Sequence, residues 1–210
     1  MKKKKGKFKQ LKKIYWNISY SSFSDVSYSW SKNYTIYYGF RPIRWQYYFE
    51  ILNTPLKVAF PKLFDFKKSF STVDSLGGLI EGPTAINKDL KKTGVYAAKS
   101  HTLSLDSLSL SNVINKDQLE AVVEYCDELG IEIIFFTAAA SSYYTEELDP
   151  KQLSRVYNVI GEITSSCKHC KYYDFLKAEE FEDSDFYDGD HLNEQGAEKL
   201  SKLLVEKTKK

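Results

Sequence analysis

Between two helical patterns lies a nearly unbroken apolar run, IEIIFFTAAA, from Ile131 to Ala140. Only Glu132 and Thr137 interrupt it. Its length suits a strand, and the lack of polar alternation predicts a strand covered on both faces. Upstream, Leu119, Val122, Val123, Cys126 and Leu129 recur at helical spacing, and Gly130 offers a left-handed stop. Downstream, Asp149 and Pro150 open a second helix as cap and first residue. Its expected stripe is Leu153, Val156, Tyr157, Ile160, Ile163 and Cys167. A further strand is expected at KYYDFL, Lys171 to Leu176, with Asp174 near its end bonding local backbone. Asn193 can then cap a last helix that buries Ala197, Leu200, Leu203 and Leu204. Alternation of this kind predicts an α/β fold: a three-layer, flavodoxin-like sandwich around a mainly parallel sheet.

The earlier part of the chain is less periodic. Lys12 to Ser19, KKIYWNIS, reads as a strand running into a serine-rich turn that holds Ser21, Ser22 and Ser24. Residues 28–52 are crowded with aromatic side chains and broken by Pro42. They are expected to pack, or to offer a stacking platform for a sugar. Residues 53–110 hold many Gly, Pro and Ser and read as an irregular excursion. The expected organisation is a basic, flexible tail over residues 1–11 and a single α/β domain over 12–210.

Charge and cysteine content narrow the function. The lysine-rich start is expected to be solvated, and a net charge of +2 gives no case for nucleic acid. No stretch approaches roughly 18 apolar residues, so no membrane span is expected, and no export signal is read at the start. As written, the chain reads as cytoplasmic; envelope association is expected if a further N-terminal segment exists. Three cysteines, Cys126, Cys167 and Cys170, argue against a disulfide framework. Cys167 and Cys170 frame the tetrapeptide CKHC, but no second ligand pair accompanies it. It is read as a helix end with incidental thiols, and neither metal nor cofactor is expected.

The chemistry gathers near the C-terminus, in DFYDGDHLNEQGAEKLSKLL. Asp188 and His191 stand three apart, just before the last helix. A hydroxyl nucleophile needs a base that titrates near neutrality, and imidazole fits. The imidazole in turn needs a carboxylate to fix its tautomer and to stabilise the imidazolium. One tight turn can deliver both groups, with Gly189 supplying unusual dihedrals. Asp190 is the competing carboxylate and is expected to point elsewhere. His101 is either a second polar residue of the site or a surface histidine.

The block F-x-D-x-x-H-L-N-x-x-G-A-x-x-L-S, from Phe186 to Ser201, resembles the last block of the SGNH (GDSL-like) esterases and acyltransferases. The resemblance implies that Asp188 orients and His191 acts as base. It implies a serine esterase or O-acyltransferase working on an acyl ester, with a glycan as one class of acceptor. The Gly-Asp-Ser and Gly-x-Asn-Asp turns of that family do not occur in the sequence. NISYSSFSD aligns with the family's third block better than with its first. The expectation is therefore the C-terminal portion of the fold, lacking one or more N-terminal strands. The nucleophile would lie upstream, or be Ser21, Ser22 or Ser24. The alternatives are a non-catalytic, SGNH-derived binding or structural domain, or a truncated gene product.

Overall fold

The structure, a computed structural model, describes residues 10–23, 89–103 and 105–209, with residues 105–115 described by backbone alone. All belong to one compact unit. In chain order the elements are β1 (Lys13–Asn17), α1 (Leu90–His101), α2 (Leu105–Glu128), β2 (Glu132–Thr137), a one-turn α3 (Ser142–Thr145), α4 (Pro150–Ser166), β3 (Cys170–Asp174), a 3-10 turn (Asp183–Asp185) and α5 (Glu194–Thr208). The strands form a parallel sheet in the order β1-β2-β3. The described chain is therefore α/β, as its alternating pattern predicts.

The apolar run makes the central strand for the expected reason. Its side chains alternate between two cores. Ile133 and Phe135 pack with Leu119, Val123 and Cys126 of α2 and with Val156, Val159, Ile160 and Ile163 of α4. Ile134 packs on the opposite side with Phe175, Leu200 and Leu204, and α5 closes that face. Ile133, Ile134 and Phe135 are wholly buried. Strand β1 is held at its start by a Lys13–Glu132 ion pair of 3.0 Å and by Tyr15, whose hydroxyl lies 3.0 Å from Thr208 Oγ1.

The helix ends follow local chemistry. The Asp149 side chain accepts from Gln152 N, with Pro150 at the first helical position. The Asn193 side chain accepts from Gly196 N. Gly130 has φ 64° and ends α2's reversal into β2. The Asp174 side chain accepts from Leu176 N at 3.0 Å, as a strand-end carboxylate should.

Four expectations need correction. Leu90–His101 is helical where irregular chain is expected. Asp89 caps it, and its buried face is Leu90, Gly94, Ala97 and Ala98. Such small residues pack closely but give little hydrophobic signal. Residues 53–88 and the aromatic segment 28–52 lie outside the described residues, as does most of the basic tail. Leu129 lies past the helix end and is half exposed. Ala197 is exposed too, because α5 turns Gly196 and Thr208 inward with Leu200 and Leu204. Cys167 and Cys170 form a disulfide, whereas Cys126 is a buried free thiol. The pair bridges the end of α4 to the start of β3, a connection short enough to bring both sulfurs together. Among the described residues no helix is long and apolar enough to cross a membrane.

Candidate active site

The site is built at the carboxyl ends of β2 and β3, where a parallel sheet with helices on both faces offers room for a ligand. After β3 the chain runs outward and folds back as a closed loop. Asn193 N donates to Asp185 O at 2.9 Å, Phe186 and Leu192 form an antiparallel bridge, and Tyr187 N donates to His191 O at 2.9 Å. Asn193 Nδ2 also donates to Ser184 O at 2.7 Å. A Cβ on Gly196 would come within 2.2 Å of Asp185 O, so a side chain there would push α5 off the loop. The Leu-Asn-x-x-Gly frame of the sequence block thus has a packing reason independent of catalysis.

Two other parts of the fold pin the tip, α1 and the turn before α3. Gly189 N donates to Thr93 Oγ1 of α1 at 2.9 Å. Gly189 O accepts from Ser141 N at 3.1 Å and from Ser141 Oγ at 2.7 Å, just before α3. A Cβ on Gly189 would lie 2.1 Å from Gly94 Cα. Gly189 does not adopt positive φ, so the expectation of unusual dihedrals is corrected: glycine is needed here for the close approach of two backbones. Neither Gly94 nor Ser141 stands out in the sequence, since each matters only through a partner distant along the chain.

His191 Nδ1 lies 2.9 Å from Asp188 Oδ1 and 3.4 Å from Asp190 Oδ1. The expected pair is therefore brought together. Asp190, however, does not point away. The loop is so tight that both carboxylates converge on one ring nitrogen. Asp190 is mostly buried, and its Oδ2 lies 3.9 Å from His101 Nδ1 at the end of α1. His101 Nδ1 is in turn 3.0 Å from the Tyr144 hydroxyl of α3. His101 thus belongs to the polar surroundings of the site.

The charges follow from this geometry. Asp190, then Asp188, hold the imidazolium of His191 and push its pKa up to about 9, against partial burial. Burial works against ionisation of Asp190, yet the bond from His191 and the charges of His191 and His101 keep its carboxyl below the usual range. Burial pushes the Tyr144 phenol well above its ordinary value, and the Asp190 charge adds to the effect. The ring of His191 is about two-thirds exposed, its side chain being 68% accessible. With Nδ1 turned to the carboxylates, Nε2 is the nitrogen left for proton transfer.

The serines of the first turn sit in different surroundings. Ser22 Oγ accepts from Ser19 N at 2.8 Å and lies 3.1 Å from Ser19 Oγ, and Ser21 Oγ lies 3.4 Å from the same hydroxyl. Ser22 also lines a cavity of about 290 Å³ with Trp16, Phe23, Gln118 and Val122, on the α2 side of the sheet. The described hydrogen bonds of His191 run within its own loop, to Asp188, Asp190 and Tyr187. No described hydrogen bond joins Ser21 to His191, and Ser24 lies outside the described residues. Asp188, Asp190 and His191 present ligand atoms within 4.8 Å of one another and could chelate a small cation; mutual ion pairing already accounts for their closeness.

Searches against family models, curated proteins and solved structures found no match for the chain.

Proposed function

We propose that the Asp188–His191 loop is the acid–base half of an SGNH-like ester-processing site, in an esterase or O-acyltransferase acting on an acyl ester. A glycan is one class of acceptor. The observation that carries the reading is the 2.9 Å contact from Asp188 to Nδ1 of an exposed imidazole, in a loop pinned at the carboxyl end of a parallel sheet. The carboxylate selects the tautomer with Nε2 as base. His191 would take the proton of a serine hydroxyl as that oxygen attacks the ester carbonyl. It would then return the proton to the leaving oxygen, and the acyl-serine would pass to water or to an acceptor hydroxyl. Ser21, Ser22 and Ser24 are the nucleophile candidates within the chain.

Hydrolysis of p-nitrophenyl acetate by the parent protein, beside His191→Ala and Asp188→Ala, tests the reading. Activity that collapses in both variants supports it. Labelling with a fluorophosphonate, followed by peptide mass spectrometry, then identifies the serine. The second reading is an SGNH-derived domain that binds without catalysis. It is favoured by the placement of Ser22 on the α2 side of the sheet, and parent activity equal to that of both variants would select it.

A further inference from the structure

The disulfide between Cys167 and Cys170 takes no part in the ester chemistry, and it stands at the start of β3, the other end of that strand from His191. A bridge between cysteines three apart constrains the unfolded chain far less than one that closes a long loop, so it adds little as a staple. Its two halves differ in surroundings. Cys167 caps α4, is only 8% exposed and belongs to the core with Val123, Ile160 and Ile163. Cys170 is partly exposed and stands in the chain between exposed Lys168 and His169 and exposed Lys171. Lys171 shares the Glu132 carboxylate with Lys13, two cations to one anion, so positive charge remains there. An accessible sulfur among cations is the one that an anionic thiolate reaches.

The buried sulfur has an acceptor waiting. Cys167 Sγ lies 3.8 Å from Asp127 Oδ1 at the end of α2, and that oxygen also meets His169 Nδ1 at 2.8 Å. A disulfide sulfur has no proton to donate. A thiol in the same place has one, and the carboxylate is already held to accept it. Asp127 and Cys167 also line, with Val123, Glu124 and Ile163, a cavity of about 280 Å³, which leaves room for a freed sulfur to move off Cys170. These surroundings receive both redox states, whereas a structural staple needs no such acceptor.

We propose that Cys167 and Cys170 form a thiol–disulfide exchange site for a small anionic thiol, in which Cys170 is attacked and Cys167 leaves toward Asp127. The thiolate attacks Cys170 Sγ; a new sulfur–sulfur bond forms there and the Cys167–Cys170 bond breaks. Cys167 leaves with the electron pair, takes up the proton that the attacking thiol gave up, and hydrogen-bonds to Asp127. A second thiolate then attacks the small-molecule sulfur of the mixed disulfide and releases Cys170 as a thiol. Two small thiols are oxidised to one disulfide while the protein disulfide is reduced to a dithiol, and the reverse direction closes the bridge. The exchange is independent of the ester-transfer reading.

The test is equilibration of the native full chain in buffers of reduced and oxidised glutathione, then acid quench, alkylation and peptide mass spectrometry. The pair should pass from bridge to dithiol across these buffers while circular dichroism shows the protein folded and buried Cys126 stays unmodified. Cys167→Ser should trap a glutathione adduct on Cys170 at least ~10-fold faster than Cys170→Ser traps one on Cys167. Asp127→Ala should raise the half-reduction value of [GSH]²/[GSSG] about tenfold, because only the dithiol loses an acceptor and losses common to both states cancel. Asp127→Asn, which keeps an acceptor oxygen, should recover part of that change. A bridge that opens only when urea unfolds the chain overturns the proposal, as do cysteines that stay reduced at every ratio. Adducts that form first on Cys167, or a half-reduction value that Asp127→Ala leaves in place, overturn it equally.

Discussion

The chain carries two imidazole–carboxylate contacts of nearly equal length, at opposite ends of β3. His169 Nδ1 lies 2.8 Å from Asp127, before the strand begins, and His191 Nδ1 lies 2.9 Å from Asp188, after it ends. Distance alone does not separate them. The surroundings do. His169 sits between the bridged Cys167 and Cys170 and meets one carboxylate from the end of α2. His191 meets two carboxylates, one of them mostly buried, in a loop fastened by α1, by Ser141 and by its own hairpin closure. The first pair ties the ends of elements together. The second presents a ring to solvent from a fastened loop, at the carboxyl end of the sheet, the end at which parallel α/β sheets in general take their ligands.

The strongest way to break this contrast is to delete each ring in turn. His191→Ala should cost about 100- to 10,000-fold in ester hydrolysis, the usual range for losing a general base. His169→Ala should leave the rate where it was. Equal losses in the two variants, measured side by side on p-nitrophenyl acetate, would mean that the hydrolysis is not the work of the Asp188 loop.

A second contrast concerns support rather than chemistry. Gly189→Ala places a Cβ 2.1 Å from Gly94 Cα, with backbone on both sides and nothing flexible to give way. It should destabilise the protein by about 2–3 kcal/mol in urea unfolding, as overpacking does. Gly161→Ala, on the exposed face of α4 with nothing within 4 Å, should be neutral or stabilise by up to ~1 kcal/mol. A Gly189→Ala variant as stable as the parent would show that the loop does not depend on its approach to α1.

These contrasts also mark what the sequence could and could not reveal. The central strand, the caps Asp149 and Asn193, and the closeness of Asp188 to His191 rest on neighbours within a few residues, so pattern alone exposes them. Helix α1 hides because, apart from Leu90 at its start, its buried face is Gly94, Ala97 and Ala98, which mark a contact by being small. Adjacency to His191 suggests that Asp190 turns away. It turns toward the ring because Ser141 and Thr93 fix Gly189 between the two aspartates. Those partners stand 48 and 96 residues away in the chain, beyond the reach of any local spacing. The disulfide is hidden because an odd count of three cysteines argues against a framework, whereas the geometry that joins two of them is the turn from α4 into β3.

The smallest expected effect sharpens the contrast most, because one group drives two opposite trends. The pKa of His191 is raised in the folded protein to about 9, from about 6.5 in the unfolded chain. Its contribution to stability is fully present below pH ~6.5 and is lost as the pH rises through ~9. The ring is largely exposed, so after solvent screening this amounts to about 1 kcal/mol or less. A base must be unprotonated to act, so ester hydrolysis should rise over the same interval and level off near pH 9. In His191→Ala the fall in stability should be absent from urea unfolding measured between pH 6 and pH ~10, and with it the rise in rate. In His169→Ala both trends should persist. A parent rate already flat above neutrality would show that the carboxylates do not hold the His191 proton during turnover, and the two histidine–aspartate pairs would then differ in position alone.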